Sequence, residues 1–319
     1  MIDVLFKQIE AEIQNQKFGS QPKSLYEPIR YLMNLGGKRL RPMLTMLSYS
    51  LYKDDAIKIA PYAAAVEAFH NFTLMHDDIM DNAPLRRGKA TVHEKWNVNT
   101  AILSGDVMLV RVYDMFLSME SKKLKQVLTL FNQCAAEVCE GQQWDMEFET
   151  KSKVTEVQYI EMIRLKTAVL LGFSLELGAI LAGASKKDQL ALREFGVNIG
   201  IGFQLKDDLL DVYADQKKFG KVVGGDIIAN KKTYLLIKAL EKARGKSKTE
   251  LLGWINAKKF NKQNKVKAIT AIYNSLDIPT TTELKINEYF NKGFANLDKI
   301  RGDKNILTKF TKDLIARQA

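Results

Sequence analysis

Apolar positions recur at three- and four-residue intervals along most of the chain, the period of amphipathic helices. Val4, Leu5, Ile9 and Ile13 place an apolar face on a first helix. Leu25 to Leu35 predicts a second, stopped by Gly36–Gly37. Pro42 then falls in the first turn of the next helix, where its missing N–H costs nothing. A long apolar stretch from Ile59 to Asp81 predicts another helix, ending near Pro84. Later starts are marked by a hydroxyl and, three residues on, a carboxylate or amide, the pair that satisfies unbonded N–H groups at a helix N-terminus. These pairs are Thr155/Gln158, Ser185/Asp188, Ser247/Glu250 and Thr280/Glu283.

No segment alternates as a strand does, and no fixed-period repeat or low-complexity linker divides the chain. One long glycine-bearing loop is expected from about Tyr213 to Ala229. The pattern predicts an all-α protein, a single large helical bundle forming one domain over residues 1–319. The stretch from Thr155 to Gly183 is apolar on almost every side, as befits a helix inside such a bundle. Lys166 and Thr167 within it either cap a neighbour or snorkel, or they line a polar cavity.

With 46% hydrophobic and 27% charged residues, the composition is that of a soluble globular protein. No run is read as reaching the roughly 20 apolar residues of a membrane span, and the N-terminal segment lacks the pattern of a signal or transit peptide. The expectation is a cytoplasmic protein without stable membrane insertion. Cys134 and Cys139 are poorly spaced to bridge on one helix and read as reduced packing residues. A net charge of +11 points to anionic partners or to a lysine-rich solvated surface.

Two acidic clusters narrow the choice. Asp77 and Asp81 in HDDIMD lie four residues apart, about 40° around a helix axis. Asp207, Asp208 and Asp211 in KDDLLD repeat the arrangement. Like charges at that spacing destabilise a helix by roughly 0.2–0.5 kcal/mol, which a cation would offset. Few carboxylates and no cage suit Mg²⁺ sharing phosphate oxygens rather than Ca²⁺. Nearby basic residues (Lys38, Arg39 and Arg41 in GGKRLRP, Arg86 and Arg87 in LRRGKAT) suit those phosphates. Clustered carboxylates would repel nucleic acid, so none is expected as a partner. Glu67 and His70 form an ExxH, but a di-iron bundle needs a second such pair, and the sequence has none. His76 reads as a packed neighbour of Asp77, and His93 as structural.

The chain resembles the trans-isoprenyl diphosphate synthases, or polyprenyl synthetases, of the type I isoprenoid synthase fold around a central cavity. The resemblance rests on GGKRLRP, HNFTLMHDDIMDNAPLRRGKATVH, AILSGD, EGQQWD, RLKTA, GFQLKDDLLD and FGKVVGGDIIANKKT, in the family order from Gly36 to about Thr233. It implies magnesium held by Asp77, Asp81 and Asp207, with Asp78, Asp208 and Asp211 assisting. It further implies an isopentenyl diphosphate site at Lys38, Arg41, His70 and Arg87. Contacts to an allylic diphosphate (dimethylallyl, geranyl or farnesyl) fall to Arg86, Lys221 and Lys231. Lys166, Thr167 and Gln204 present oxygens to the reacting carbon. A homodimer is also implied.

The same resemblance makes Phe72, five residues before Asp77, the floor of a product pocket, with Thr73 small beside it and Phe69 one turn deeper. Together they favour a short product, farnesyl or geranylgeranyl diphosphate, unless Phe72 is only core. Two alternatives share the fold: a terpene cyclase, which would lack the isopentenyl site, and a silent partner subunit, which would lack complete aspartate motifs.

Overall fold

The helical periods are realised over residues 1–214 and 224–316, which the computed structural model describes. Helices α1 (Ile2–Asn15), α2 (Lys23–Met33), α3 (Leu40–Tyr49) and α4 (Ala60–Met80) come first, followed by a hairpin of β1 (Leu85–Arg86) and β2 (Lys89–Ala90). Next come α5 (Val92–Lys95), α6 (Val98–Leu117), α7 (Ser121–Thr150) and α8 (Glu156–Ile163). A π-helical turn, Arg164–Ala168, joins α8 to α9 (Val169–Ala182), which precedes α10 (Lys186–Tyr213). The remainder comprises α11 (Gly225–Ala229), α12 (Tyr234–Lys242), α13 (Gly245–Asn256), α14 (Lys262–Ser275), α15 (Ile278–Leu297) and α16 (Asn305–Ala316). The fold is all-α.

The described chain divides into two units. The first holds Met1–Gln133, Phe173–Arg193 and Gly302–Leu307; the second holds Cys134–Gly172, Glu194–Arg301 and the residues from Thr308. In the first unit α4 packs against α1, α3 and α6. Its alanines 63, 64, 65 and 68 are fully buried and admit these neighbours closely. Gly178 of α9 meets α3 so tightly that a Cβ there would lie 2.1 Å from the Thr45 carbonyl oxygen, and the Ser48 hydroxyl donates to the Leu175 carbonyl at 2.6 Å. In the second unit Leu235, Leu236, Leu251, Ile269 and Ile278 from α12 to α15 form a buried core with Val212 of α10.

Several boundaries differ from the sequence reading. Val4 is 57% exposed, because the buried face of α1 runs through Leu5, Ile9 and Ile13 and Val4 sits one position off it. The Thr155/Gln158 capping box is present, and Ser185 accepts from the Asp188 amide. Ser247 is the third residue of its helix, where its hydroxyl accepts from the Arg244 amide at 3.3 Å, and Thr280 lies inside the first turn of its helix, so neither is the N-cap expected. Their helices begin earlier, after Arg244 and after Asp277, which adopts a left-handed backbone (φ 53°) ahead of Pro279. The β1–β2 hairpin was too short to show as an alternating run. Cys134 is buried as expected, but Cys139 is exposed, so it is not a packing residue. The stretch Glu156–Ala182 is long and apolar enough to cross a membrane by length and composition, contrary to the sequence reading, and 89% of its apolar window is buried within the protein.

Candidate active site

In the first unit, α4 delivers the first acidic cluster at its C-terminal end. Asp77 lies in the last turn and Asp81 is the residue that ends the helix, still in right-handed helical conformation (φ −84°, ψ −2°). The two therefore keep their helical i, i+4 relation, with Asp81 exposed and Asp77 part-buried. Asp78 points inward, 1% exposed, where the Arg86 guanidinium donates to it with Nε–Oδ2 at 2.8 Å and Nη2–Oδ1 at 2.7 Å. Burial raises the Asp78 carboxyl above its ordinary pKa even against this partner. Arg86 also lies 3.8 Å from Asp77 and so stands beside both carboxylates.

The hairpin that carries Arg86 turns at Arg87 (φ 53°) and Gly88 (φ 74°), both at the positive φ that a two-residue hairpin turn favours. The turn places the Arg87 guanidinium against Gly37, where an added Cβ would lie 3.0 Å from its Cζ. Arg41, in the first turn of α3, donates from Nη1 to Nε2 of His70 at 3.0 Å. A guanidinium only donates, so Nε2 accepts and the imidazole carries its proton on Nδ1. Burial, reinforced by Arg41, Arg87, Arg86 and Arg39, pushes the His70 pKa well down and keeps the ring neutral. Arg41, His70, Arg86 and Arg87 thus form one basic group, and Lys38 is exposed on the preceding loop.

Gly37→Ala is expected to displace the Arg87 guanidinium and force a strained backbone at φ 149°. If Arg87 holds an anionic substrate, KM for that substrate rises roughly tenfold, equivalent to one charge-assisted hydrogen bond. Steady-state kinetics with each substrate varied in turn checks this, and an unchanged KM for both would remove Arg87 from binding.

Arg39 does not belong to that basic group. Its side chain is 1% exposed and donates from Nε to Glu10 at 2.6 Å and from Nη1 to Glu67 at 2.9 Å. It thereby ties α1 to α4. Glu67, the glutamate of the ExxH, accepts through Oε1 from Arg39 and from the Asn71 amide, which gives it a structural partner. His76 packs on Gly105, with Nε2 3.2 Å from the Ile102 carbonyl, as a packed neighbour. Phe72 is 9% exposed and stacks edge-on with His76 at 4.9 Å and against Phe69 at 5.7 Å. Phe69 continues the aromatic run to Phe131 at 5.0 Å, and the Thr73 hydroxyl bonds the His70 carbonyl at 2.8 Å.

The second unit holds a cavity lined by Asp145, Glu149, Asp207, Asp208, Asp211 and Asp226, with Lys166, Thr167, Gln204, Lys231 and Lys232. The π-helical turn Arg164–Ala168 presents Lys166 and Thr167 there. Glycines in the neighbouring helices make room for it. A Cβ on Gly141 of α7 would lie 2.2 Å from the Lys166 amide nitrogen, and one on Gly200 of α10 would lie 2.7 Å from Ala168 Cα. One turn beyond Gly141, Asp145 accepts from Lys166 Nζ at 2.6 Å. The Thr167 hydroxyl donates to Gln204 Oε1 at 3.3 Å, and Gln204 Nε2 donates to Asp208 at 3.1 Å. The other Asp208 oxygen accepts from the Tyr159 hydroxyl.

Burial first, then the Asp226 charge, pushes Asp208 up to about 8, against the lowering pull of Tyr159 and Gln204. Asp226 is pushed up to about 6, by burial and then by Asp211. Carboxyls that raise one another in this way are the donors a cation would relieve. All are hard oxygen ligands, as Mg²⁺ requires. Among the described residues no three candidate ligand groups close into a preformed metal cage. Mg²⁺ needs only one or two protein carboxylates, since it keeps waters and takes substrate phosphate oxygens. The residues therefore fit the ion.

Lys221 lies outside the described residues. Tyr159, Asp226 and Lys232 line the site although the sequence reading gave them no role. Asp226 sits within the FGKVVGGDIIANKKT segment, where its position after two glycines was the available signal; Tyr159 had none, its hydroxyl being one of many on buried helices.

The polyprenyl synthetase family profile matches residues 22–273. A short chain isoprenyl diphosphate synthase of Methanocaldococcus jannaschii is 42% identical over 258 residues, covering 80% of this chain and 78% of that protein. The geranylgeranyl diphosphate synthase of Methanosarcina mazei is 37% identical over 303 residues, covering 94% and 91%. A crystal structure of a geranylgeranyl pyrophosphate synthase superposes with a TM-score of 0.93 at 40% identity, covering 100% of this chain and 99% of that one.

Proposed function

The chain belongs to the polyprenyl synthetase family, and from that membership we propose that it is a magnesium-dependent prenyltransferase. It condenses isopentenyl diphosphate with an allylic diphosphate to give a short all-trans product, geranylgeranyl diphosphate ahead of farnesyl diphosphate. The observation that carries this reading is the presence in one chain of two acidic clusters, each with its own cationic partners. Asp77, Asp78 and Asp81 stand with Arg86 at the end of α4. Asp207, Asp208, Asp211 and Asp226 line a cavity with Lys166 and Lys231. The two units serve one catalytic domain over residues 1–319.

Asp77, Asp81 and Asp207 are the residues proposed to hold Mg²⁺, which when bound draws charge from the allylic diphosphate as it leaves. Arg86 and Lys231, with Lys221, bind the same diphosphate. Arg41 and Arg87, with Lys38, bind isopentenyl diphosphate, and neutral His70 fixes the Arg41 guanidinium by accepting a hydrogen bond from it. The Thr167 hydroxyl and Gln204 amide, oriented by their mutual hydrogen bond, and the main-chain carbonyl of Lys166 in the π turn offer oxygens to the carbon that ionises. Phe148, Met162 and Ile163, the apolar part of the cavity wall, keep water from that carbon while isopentenyl diphosphate adds through its double bond. Proton loss to the released diphosphate completes the step.

Incubation with labelled isopentenyl diphosphate, Mg²⁺ and dimethylallyl, geranyl or farnesyl diphosphate tests the proposal. Elongated prenyl diphosphates support it. No elongation from any primer sinks it, in favour of a terpene cyclase if the primers cyclise or a silent partner subunit if nothing reacts.

Phe72 is proposed to limit product length from its place in the aromatic run above Phe69. Phe72→Ala is expected to shift the product distribution by at least one isoprene unit, read by chromatography of the dephosphorylated alcohols. An unchanged distribution assigns Phe72 to packing alone. The chain is also proposed to be a cytoplasmic homodimer, without nucleic acid. In support, Leu103, Val110 and Leu117 form an exposed stripe at seven-residue intervals on α6, at 57%, 59% and 58% exposure. Val110→Glu is expected to yield monomers in sedimentation velocity; an unaltered dimer would place the interface elsewhere.

A further inference from the structure

Lys265 of α14 is 0% exposed, although the lysine-rich region around it would be expected to face solvent. Its acceptors are neutral. Nζ donates to the Ile228 carbonyl at 3.2 Å and to Asn230 Oδ1 at 2.7 Å, and it lies 4.2 Å from the centre of the Phe260 ring. Burying an ammonium among neutral groups is unfavourable unless its hydrogen bonds are met, and these three contacts meet them. Both oxygens belong to the C-terminal end of α11, where a cation is also favoured by the unbonded carbonyls.

The segment so held is the one that carries Asp226 and Lys231. At its start the Gly224 amide donates to the Asp211 carbonyl at 2.6 Å, and the Asp226 amide donates to Asp211 Oδ2 at 3.0 Å. Gly224 has φ 84° and lies under Val266, the residue after Lys265, where a Cβ would come within 2.7 Å of the valine side chain. At its end Asn230 adopts φ 54° and donates from Nδ2 to the Ile255 carbonyl at 3.0 Å. The Lys231 amide then bonds back to the Asp226 carbonyl at 3.0 Å, and Thr233 to the Lys231 carbonyl at 2.9 Å. Asp211 therefore pins the segment at one end, and α14 pins both ends through Val266 and Lys265.

We propose that Lys265 is a positioning residue for the allylic diphosphate: its buried ammonium fixes the turn at Ile228–Asn230 and so sets where Lys231 reaches into the cavity. This rests on the reading of Lys231 as an allylic-diphosphate contact. The basic C-terminal region then contributes to catalysis from inside the second unit through one buried side chain, without touching substrate.

Lys265→Met keeps the stem and removes the donors. KM for farnesyl diphosphate should rise roughly tenfold, the effect of losing one charge-assisted hydrogen bond, while KM for isopentenyl diphosphate and the helical circular dichroism stay as in the wild type. The inhibition constant of inorganic diphosphate against farnesyl diphosphate should rise in parallel. Lys265→Arg, which keeps charge and donors, should recover most of the affinity. Asn230→Gly preserves the left-handed backbone and deletes the side-chain anchors at that end of the segment, the Oδ1 that accepts from Lys265 and the Nδ2 that donates to the Ile255 carbonyl. It should shift the same KM in the same direction, and it decides the question if Lys265→Met does not fold. An unchanged farnesyl diphosphate KM in a folded variant, or an equal change in both KM values, would overturn the proposal. A wild-type protein with no elongation activity would instead fail the functional reading itself.

Discussion

Asp77→Ala is expected to lower kcat for chain elongation roughly a thousandfold, the scale of losing one preorganised electrostatic group at a reacting centre. The helix should survive the change. Asp77 lies one turn from the end of α4, alanine has the highest helix propensity, and the substitution removes like-charge repulsion with Asp81. Thermal unfolding is therefore expected to be unaltered or slightly raised while turnover collapses. Asp207→Ala should do the same from the other unit, because Asp207 is exposed on α10. Combining the two should cost far less than the product of the single losses, since groups that serve one step are not additive. A kcat within tenfold of wild type for either variant, at saturating Mg²⁺, would remove that aspartate from the chemistry.

Arg39→Met is expected to act on stability instead, lowering it by about 3–5 kcal/mol. The guanidinium is buried with Glu67, whose side chain is 3% exposed, and it also donates to the Met33 carbonyl at 3.0 Å. Removing one partner of a buried ion pair leaves the other as an uncompensated charge, and that remnant dominates the loss. The double variant Arg39→Met with Glu67→Gln should recover part of it by removing the remnant. Urea unfolding of the single and double variants measures both effects. A single variant as stable as wild type would mean that Arg39 is not the tie between α1 and α4 that its distances indicate.

Arg39 also marks where the sequence stopped being readable. In GGKRLRP three cationic side chains look alike, and only the fold separates the structural Arg39 from Arg41 and the exposed Lys38. The distinction comes from the left-handed backbone at Arg39 (φ 45°), which turns its side chain back toward α1. The aspartate clusters were legible because i, i+4 spacing survives folding unchanged, even for Asp81 at the helix end. The all-helical class was legible for the same reason, being a property of local period. The π turn at Lys166 and Thr167 was not, since it depends on Gly141 and Gly200 arriving from other helices. Each is an ordinary helix glycine in sequence, and each matters only through what touches it. Tyr159 and Lys265 were invisible on similar grounds: their roles are long-range hydrogen bonds, to Asp208 and to Ile228 and Asn230. The misplaced starts at Ser247 and Thr280 have a local cause, because residues upstream were free to begin the helix first.

The most direct measurement is the stoichiometry of diphosphate release from farnesyl diphosphate, with and without isopentenyl diphosphate, in metal-stripped and Mg²⁺-restored protein. The expected result is one diphosphate released for each isopentenyl unit incorporated, none without Mg²⁺, and little when isopentenyl diphosphate is omitted. Release that proceeds without isopentenyl diphosphate, or elongation that persists in metal-stripped protein, would contradict a magnesium-dependent prenyltransferase.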